Sequence, residues 1–176
     1  AVLTPDEIRA FTAKTVDSVK NHFIPEIIGK SAAEIAKLAG IQRDRSIRLI
    51  IVPVDQVDSE DVYSGEKLTP VLSLFTAPDE KEGIETCRRL LEIDGSGHTA
   101  IIHTRDNALA EQFGLAMPAS RILVNAPGVQ GGIGAVTGLM PSLTLGCGTF
   151  GGNSTTDNVT YKHLINVKRL AYYTPK

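Results

Sequence analysis

From Ile8 the apolar and β-branched positions Phe11, Thr12, Thr15, Val16 and Val19 recur at helical spacing, which predicts a helix from Thr4 to about Phe23 with one buried stripe. Thr4-Pro5-Asp6-Glu7 marks its start, with a capping hydroxyl, a proline at the first helical position and acids in the first turn. Gly29 interrupts the pattern, and Ser31 to Leu38 (SAAEIAKL) predicts a shorter helix closed by Gly40. Ile47 to Val54 (IRLIIVPV) is a short β-branched run that reads as a buried strand with Pro53 near its end. An acidic loop over Asp55 to Lys67 precedes a second strand pattern at Pro70 to Phe75. A capped helix follows from Asp79 to about Ile93, with Ile84, Cys87, Leu90 and Leu91 on its apolar side. After the turn Asp94-Gly95-Ser96-Gly97, the pattern gives a strand at His98 to His103, a helix from Asp106 to about Leu115 and a strand at Arg121 to Asn125.

Strands alternating with helices of this length imply an α/β fold: a mainly parallel open sheet with helices on its faces. In such sheets ligands bind beyond the carboxyl ends of the strands, which is where Asn125 hands the chain to a glycine-rich stretch. Residues 1–155 read as the body of the fold. The segment 156–176 reads as an appendage, with a helical turn or two over Thr156 to Ile165 and strand-like alternation over Val167 to Tyr173 (VKRLAYY). With Lys168 and Arg169 adjacent, that last strand is expected either at a sheet edge or paired with another subunit.

Composition narrows the function classes. The chain has 176 residues, 42% of them hydrophobic and 22% charged, with a net charge of -2. That is an ordinary globular balance, with no global electrostatic reason to expect nucleic acid or an anionic membrane as partner. No apolar run approaches the roughly 20 residues of a membrane span, and no signal peptide heads the sequence. Two cysteines, Cys87 and Cys147, make no disulfide framework and fit a reducing, cytoplasmic setting. The chain starts at Ala1, and both methionines, Met117 and Met140, lie deep within it, as in a piece of a longer protein.

The stretch Asn125 to Ser154 holds nine of the sixteen glycines and reads as a ligand-facing loop. Its GVQGGIGAVTG run fits a loose nucleotide pattern, but Pro141 and a second glycine cluster follow where a dinucleotide fingerprint needs a helix and a later acid. A freestanding module holding a phosphate-bearing ligand on this loop is the alternative reading. Cys147, between two glycines, is either an exposed nucleophile, as in a cysteine hydrolase, or a small residue packed under a tight loop; no base lies near it in sequence. Cys87 falls on the apolar side of a helix and reads as core. His98, after a Gly-Ser-Gly turn, either projects into a cleft or sits inert on the surface, and Glu66 taken alone reads as a loop acid.

The ordered blocks Gly65-Glu66-Lys67-Leu68-Thr69-Pro70, Gly95-Ser96-Gly97-His98-Thr99-Ala100, Arg121-Ile122-Leu123-Val124-Asn125, Gln130-Gly131-Gly132-Ile133-Gly134, Pro141-Ser142-Leu143-Thr144-Leu145-Gly146-Cys147-Gly148 and Lys162-His163-Leu164-Ile165-Asn166 together closely resemble the CoA-acylating branch of the aldehyde dehydrogenase superfamily. The likeness is greatest to the aldehyde dehydrogenase part of bifunctional aldehyde-alcohol dehydrogenases. The resemblance implies part of a catalytic domain that converts an aldehyde, acetaldehyde by default, with CoA and NAD to acyl-CoA and NADH. By position, Glu66 resembles the acid that holds the nicotinamide ribose hydroxyls, and His98 the histidine beside the catalytic thiol, able to steady it or to help deprotonate the incoming CoA. Gln130, Gly131, Gly132, Ile133 and Gly134 would border the acyl and CoA end of the site. Neither Cys87 nor Cys147 matches the family nucleophile, which the resemblance places before Ala1 together with the NAD-binding domain, so the 176 residues alone are expected to be inactive. No metal is implied, and the final strand resembles one that joins an oligomerisation sheet, implying a homo-oligomer.

Overall fold

The computed structural model describes residues 1–175, which divide into two compact units: 1–96 with 112–118, and 97–111 with 119–175. In the first unit, helix α1 (Pro5–Thr15) opens with a full capping box, in which Thr4 Oγ1 accepts from the Glu7 N–H and the Glu7 carboxylate accepts from the Thr4 N–H. It ends well short of Phe23. Val16 turns extended, and strands β1 (Val16–Asp17) and β2 (His22–Phe23) form a small antiparallel hairpin. The physical reason is local. Asp17 Oδ1 accepts from the N–H groups of Val19 and Lys20, and Asn21 takes a left-handed φ of 52° while its amide donates to the Glu60 carbonyl. Side-chain bonds to nearby backbone thus outcompete the helix at its far end.

Helix α2 (Ala32–Ala39) is capped by Ser31 and stopped by Gly40 in the left-handed region, as its sequence predicts. Strands β3 (Ile50–Pro53) and β4 (Val71–Leu74) pair in parallel, and Val2 bridges to Ile51 on the other side of β3. Phe11, Ile27, Ile35, Ile50, Val52 and Val71 are almost fully buried at the centre of this unit. Phe23 packs edge-on against Phe11 (centroids 6.5 Å apart) and against Tyr63 (5.9 Å). Each such pair contributes roughly 0.5–1.5 kcal/mol beyond the area it buries. Helix α3 (Glu80–Asp94) is capped by Asp79, and its apolar residues Ile84, Cys87, Leu90 and Leu91 are half-buried.

In the second unit, strands β5 (Gly97–Ile102) and β6 (Ala119–Val124) pair in parallel. Helix α4 (Asn107–Ala116) connects them in sequence, the β-α-β order expected of a parallel pair. The parallel strands therefore form two separate pairs, one in each unit, rather than one continuous sheet. At the carboxyl ends of β5 and β6, Asn125 adopts a left-handed φ of 53°; its side chain accepts from the Thr104 N–H at 3.0 Å and donates to the Thr104 carbonyl at 2.7 Å. Beyond it, α5 (Gly128–Gly132) is a single short helical turn.

Only a 3₁₀ turn (Tyr161–His163) forms within the expected helical stretch 156–165. The stretch Val167 to Tyr173, expected as a strand, pairs with nothing among the described residues and is exposed along its length. No helix among the described residues is long and apolar enough to cross a membrane.

Candidate functional site

Glu66 lies in the first unit, in the loop that leads to β4, and its side chain is exposed. Asp94, at the end of α3, holds the loop: its Oδ2 accepts from the Glu66 N–H at 2.9 Å. A Cβ at Gly65 would come within 2.7 Å of the same oxygen, so the glycine lets the carboxylate approach the backbone. The Glu66 carboxylate has no ion-pair partner among the described residues and is free to accept from hydroxyl groups. It lines a cleft of about 380 Å³ together with Asn21, His22, Asp61, Lys67 and Asp94.

Lys67 donates to the Gly65 carbonyl at 2.8 Å. Burial pulls its ammonium below the usual lysine range, while the Asp61 and Asp94 carboxylates pull it back. Strain gathers on the next two residues. Leu68 takes φ 47°, which costs a branched residue about 1 kcal/mol or more, and the buried Thr69 hydroxyl has no hydrogen-bond partner. Backbone strain and an orphaned hydroxyl thus stand within three positions of an exposed carboxylate. An acceptor-only side chain of this kind fits the paired hydroxyls of a nucleotide ribose.

The second unit carries His98 and the glycine-rich loop. His98 is exposed on β5, and its Nδ1 lies 3.1 Å from the hydroxyl of Thr99. Directly before it, Gly97 sits at φ 78° against the loop: a Cβ there would stand 1.9 Å from the Cys147 carbonyl oxygen. The loop is therefore packed onto the strand that bears His98. Gly132 is also adjacent, since its missing Cβ would lie 3.8 Å from Thr99 Oγ1. Of the other residues expected at the CoA end, Gln130 is exposed, Gly131 is buried, and Ile133 and Gly134 are half-buried. Gly134 (φ 80°) turns the chain so closely that a Cβ would meet the Leu139 carbonyl at 2.4 Å. Much of the glycine content thus serves the loop's packing on itself and on β5.

Two residues that sequence reasoning passes over hold this loop. Arg121 on β6 is only 2% exposed, and no carboxylate pairs with it among the described residues. Its guanidinium donates instead to the carbonyls of Gly146 (2.7 Å), Thr156 (3.1 Å) and Gly97 (3.5 Å) and to the Thr99 hydroxyl (3.3 Å). Asn158, also buried, donates to the carbonyls of Gly132 (2.9 Å) and Met140 (2.7 Å). The available signal was an arginine inside an otherwise apolar strand pattern, ASRILV, where a charge is tolerated only with a full set of partners.

The cysteines are poorly built for nucleophilic work. Cys147 is half-buried, its N–H donates to the Asn153 side chain, and the nearest polar partner of its Sγ is the Leu145 carbonyl at 3.9 Å. Neither a base nor a cation contacts that thiol among the described residues. Cys87 is half-buried on α3, and burial pushes its thiol above the usual range, away from the reactive thiolate. The described residues also include no group of three or more His, Cys, Asp and Glu side chains placed to hold a metal ion.

Comparison with known proteins fits this arrangement. No protein-family profile matches the chain. It is 43% identical over 150 residues to the bifunctional aldehyde-alcohol dehydrogenase of Escherichia coli (strain K12), a match covering 82% of this chain and 17% of that protein. It is 42% identical over 154 residues to the sulfoacetaldehyde dehydrogenase of Acholeplasma sp, covering 86% and 32%. Among solved structures, an acetylating aldehyde dehydrogenase from Geobacillus thermoglucosidasius superposes on all of this chain and 38% of its own length, with a TM-score of 0.91 and 37% identity. The chain thus spans about a sixth of the length of the bifunctional relatives and over a third of that structure. In sequence and in fold, these 176 residues are homologous to one part of the acetylating aldehyde dehydrogenases.

Proposed function

We propose that this chain is part of an NAD-dependent, CoA-acylating aldehyde dehydrogenase, in which an aldehyde, CoA and NAD⁺ give acyl-CoA, NADH and a proton. The observation that carries this reading is the continuous match in sequence and fold to acetylating aldehyde dehydrogenases. Acetaldehyde is the default substrate, and the sulfoacetaldehyde relative marks a second polar aldehyde to test.

The roles come from the likeness to that family, and the local geometry supports them. NAD, when bound, supplies the hydride acceptor. Glu66, its backbone anchored by Asp94, accepts hydrogen bonds from the nicotinamide ribose hydroxyls. His98 stands at the acyl end, on a strand immobilised by the packed loop, and steadies charge as the acyl group passes from an enzyme thiol to CoA. The stretch 130–134 forms a wall of that end, with the Gln130 side chain as its exposed polar group. The attacking thiol comes from elsewhere in the enzyme, since neither Cys87 nor Cys147 has the surroundings of a nucleophile. The 176 residues by themselves therefore turn nothing over.

The test is NADH formation from acetaldehyde by the enzyme that carries this segment. The reading requires CoA dependence and a drop of about 10²-fold in acyl transfer for His98→Ala, the usual scale for a positioned acid-base group. Oxidation indifferent to CoA would overturn it.

A further inference from the structure

The contacts around His98 fix more than its position. Arg121 Nε lies 3.3 Å from Thr99 Oγ1, and Thr99 Oγ1 lies 3.1 Å from His98 Nδ1. A guanidinium only donates, so Thr99 Oγ1 accepts from Arg121 and is left with its own proton to give. The only acceptor facing that proton among the described residues is His98 Nδ1. An imidazole that accepts at Nδ1 carries its single proton on Nε2. Arg121 is itself held in place: it also donates to the carbonyls of Gly97, Gly146 and Thr156, and it is 2% exposed. With Arg121 fixed there, a bond donated by His98 Nδ1–H would leave the Thr99 proton with no acceptor among the described residues.

We infer that Arg121 and Thr99 are positioning residues that hold neutral His98 as its Nε2–H tautomer, so that His98 meets its ligand as a hydrogen-bond donor. This deepens the proposed function, on which the choice of ligand rests. A donor at the acyl end stabilises an anionic group, such as the oxyanion of a thioester under attack or an incoming thiolate. It does not take a proton from a thiol, for which Nε2 would have to be bare. The relay also explains why a buried arginine stands here without a carboxylate. An acid on Thr99 would take the hydroxyl proton itself and leave His98 Nδ1 to bind its own hydrogen.

The experiment is nitrogen NMR of the 176-residue chain labelled with ¹⁵N-histidine, on the alkaline side of the histidine titration. The His98 signals are identified by their loss in His98→Gln, one of four histidines in the chain. The expected pattern is a protonated, pyrrole-type Nε2 and a bare, pyridine-type Nδ1. Thr99→Val removes the relay and is expected to give a mixture of tautomers, while Thr99→Ser keeps the hydroxyl and restores the Nε2–H form. The inference is overturned by an Nδ1–H pattern or a tautomer mixture in the unaltered chain, or by a Thr99→Val spectrum identical to it. If Thr99→Val fails to fold, as amide dispersion would reveal, the unaltered chain and Thr99→Ser still decide the matter. No substrate is present in this measurement, so its failure is separate from a failure of CoA-dependent turnover.

Discussion

At the scale of single residues, Arg121 carries more of the local order than any glycine near it. It donates to three backbone carbonyls, and its bonds to those of Gly97 and Gly146 are buried. Arg121→Met keeps much of the side-chain volume but orphans those acceptors, at about 1–3 kcal/mol for each that water cannot reach. The expected outcome is a loss of about 2 kcal/mol in urea unfolding followed on the second unit; an unchanged midpoint would show that the carbonyls find other donors. Cys147 gives a second test. Half-buried, with no base or cation at its thiol among the described residues, it is expected to react with iodoacetamide near neutral pH more slowly than a free cysteine, and rapid labelling would restore a nucleophilic reading. The role of Arg121 is not legible in the sequence, which for Cys147 leaves an exposed and a packed reading open. Arg121 finds its acceptors 22 to 35 positions away, and Cys147 packs against Gly97, far from it in sequence.

At the scale of elements, local signals read well and long-range ones did not. Helices α2 and α3 start and stop at their capping residues, Ser31, Gly40 and Asp79. Helix α1 was read too long because Thr15, Val16 and Val19 keep helical spacing, whereas Asp17 and Asn21 offer the backbone better bonds in a turn. The start of α1 is also tied down from outside. The Arg43 guanidinium and the Thr4 N–H lower the Glu7 carboxyl from its ordinary 4.5 to about 2. Because the folded value lies below the unfolded one, the stabilisation is full above about pH 4.5 and is lost as the pH falls towards 2. Glu7→Gln is expected to flatten the stability profile in that window; an equally steep acid loss in the variant would place the effect elsewhere. The glycine-rich stretch is a loop apart from short helical turns, α5 among them, and Cys147 within it is half-buried. Its glycines turn out to accommodate backbone carbonyls at Gly134 and Gly146 at least as much as they leave room for a ligand.

At the scale of the whole molecule, alternation of strands and helices gave the α/β class and the parallel pairing, while the division into separate strand pairs followed from contacts that periodicity does not encode. Leu164, Leu170, Tyr172 and Tyr173 are each more than 80% exposed on a segment with no pairing partner among the described residues. A second copy of the chain is the proposed cover. Light scattering is expected to show a dimer or larger species that falls to monomer when the chain is cut after Ile165, and a monomeric intact chain would contradict this.

The roles given to Glu66 and His98 converge on one reaction, and one measurement tests it most directly. The complete enzyme bearing this segment is given acetaldehyde and NAD, with and without CoA, and both NADH and acetyl-CoA are followed. The predicted result is NADH and acetyl-CoA in equal amounts only when CoA is present, with acyl transfer lowered about 10²-fold by His98→Ala. Steady NADH formation without CoA, or a His98→Ala enzyme with unchanged acyl transfer, would contradict the account.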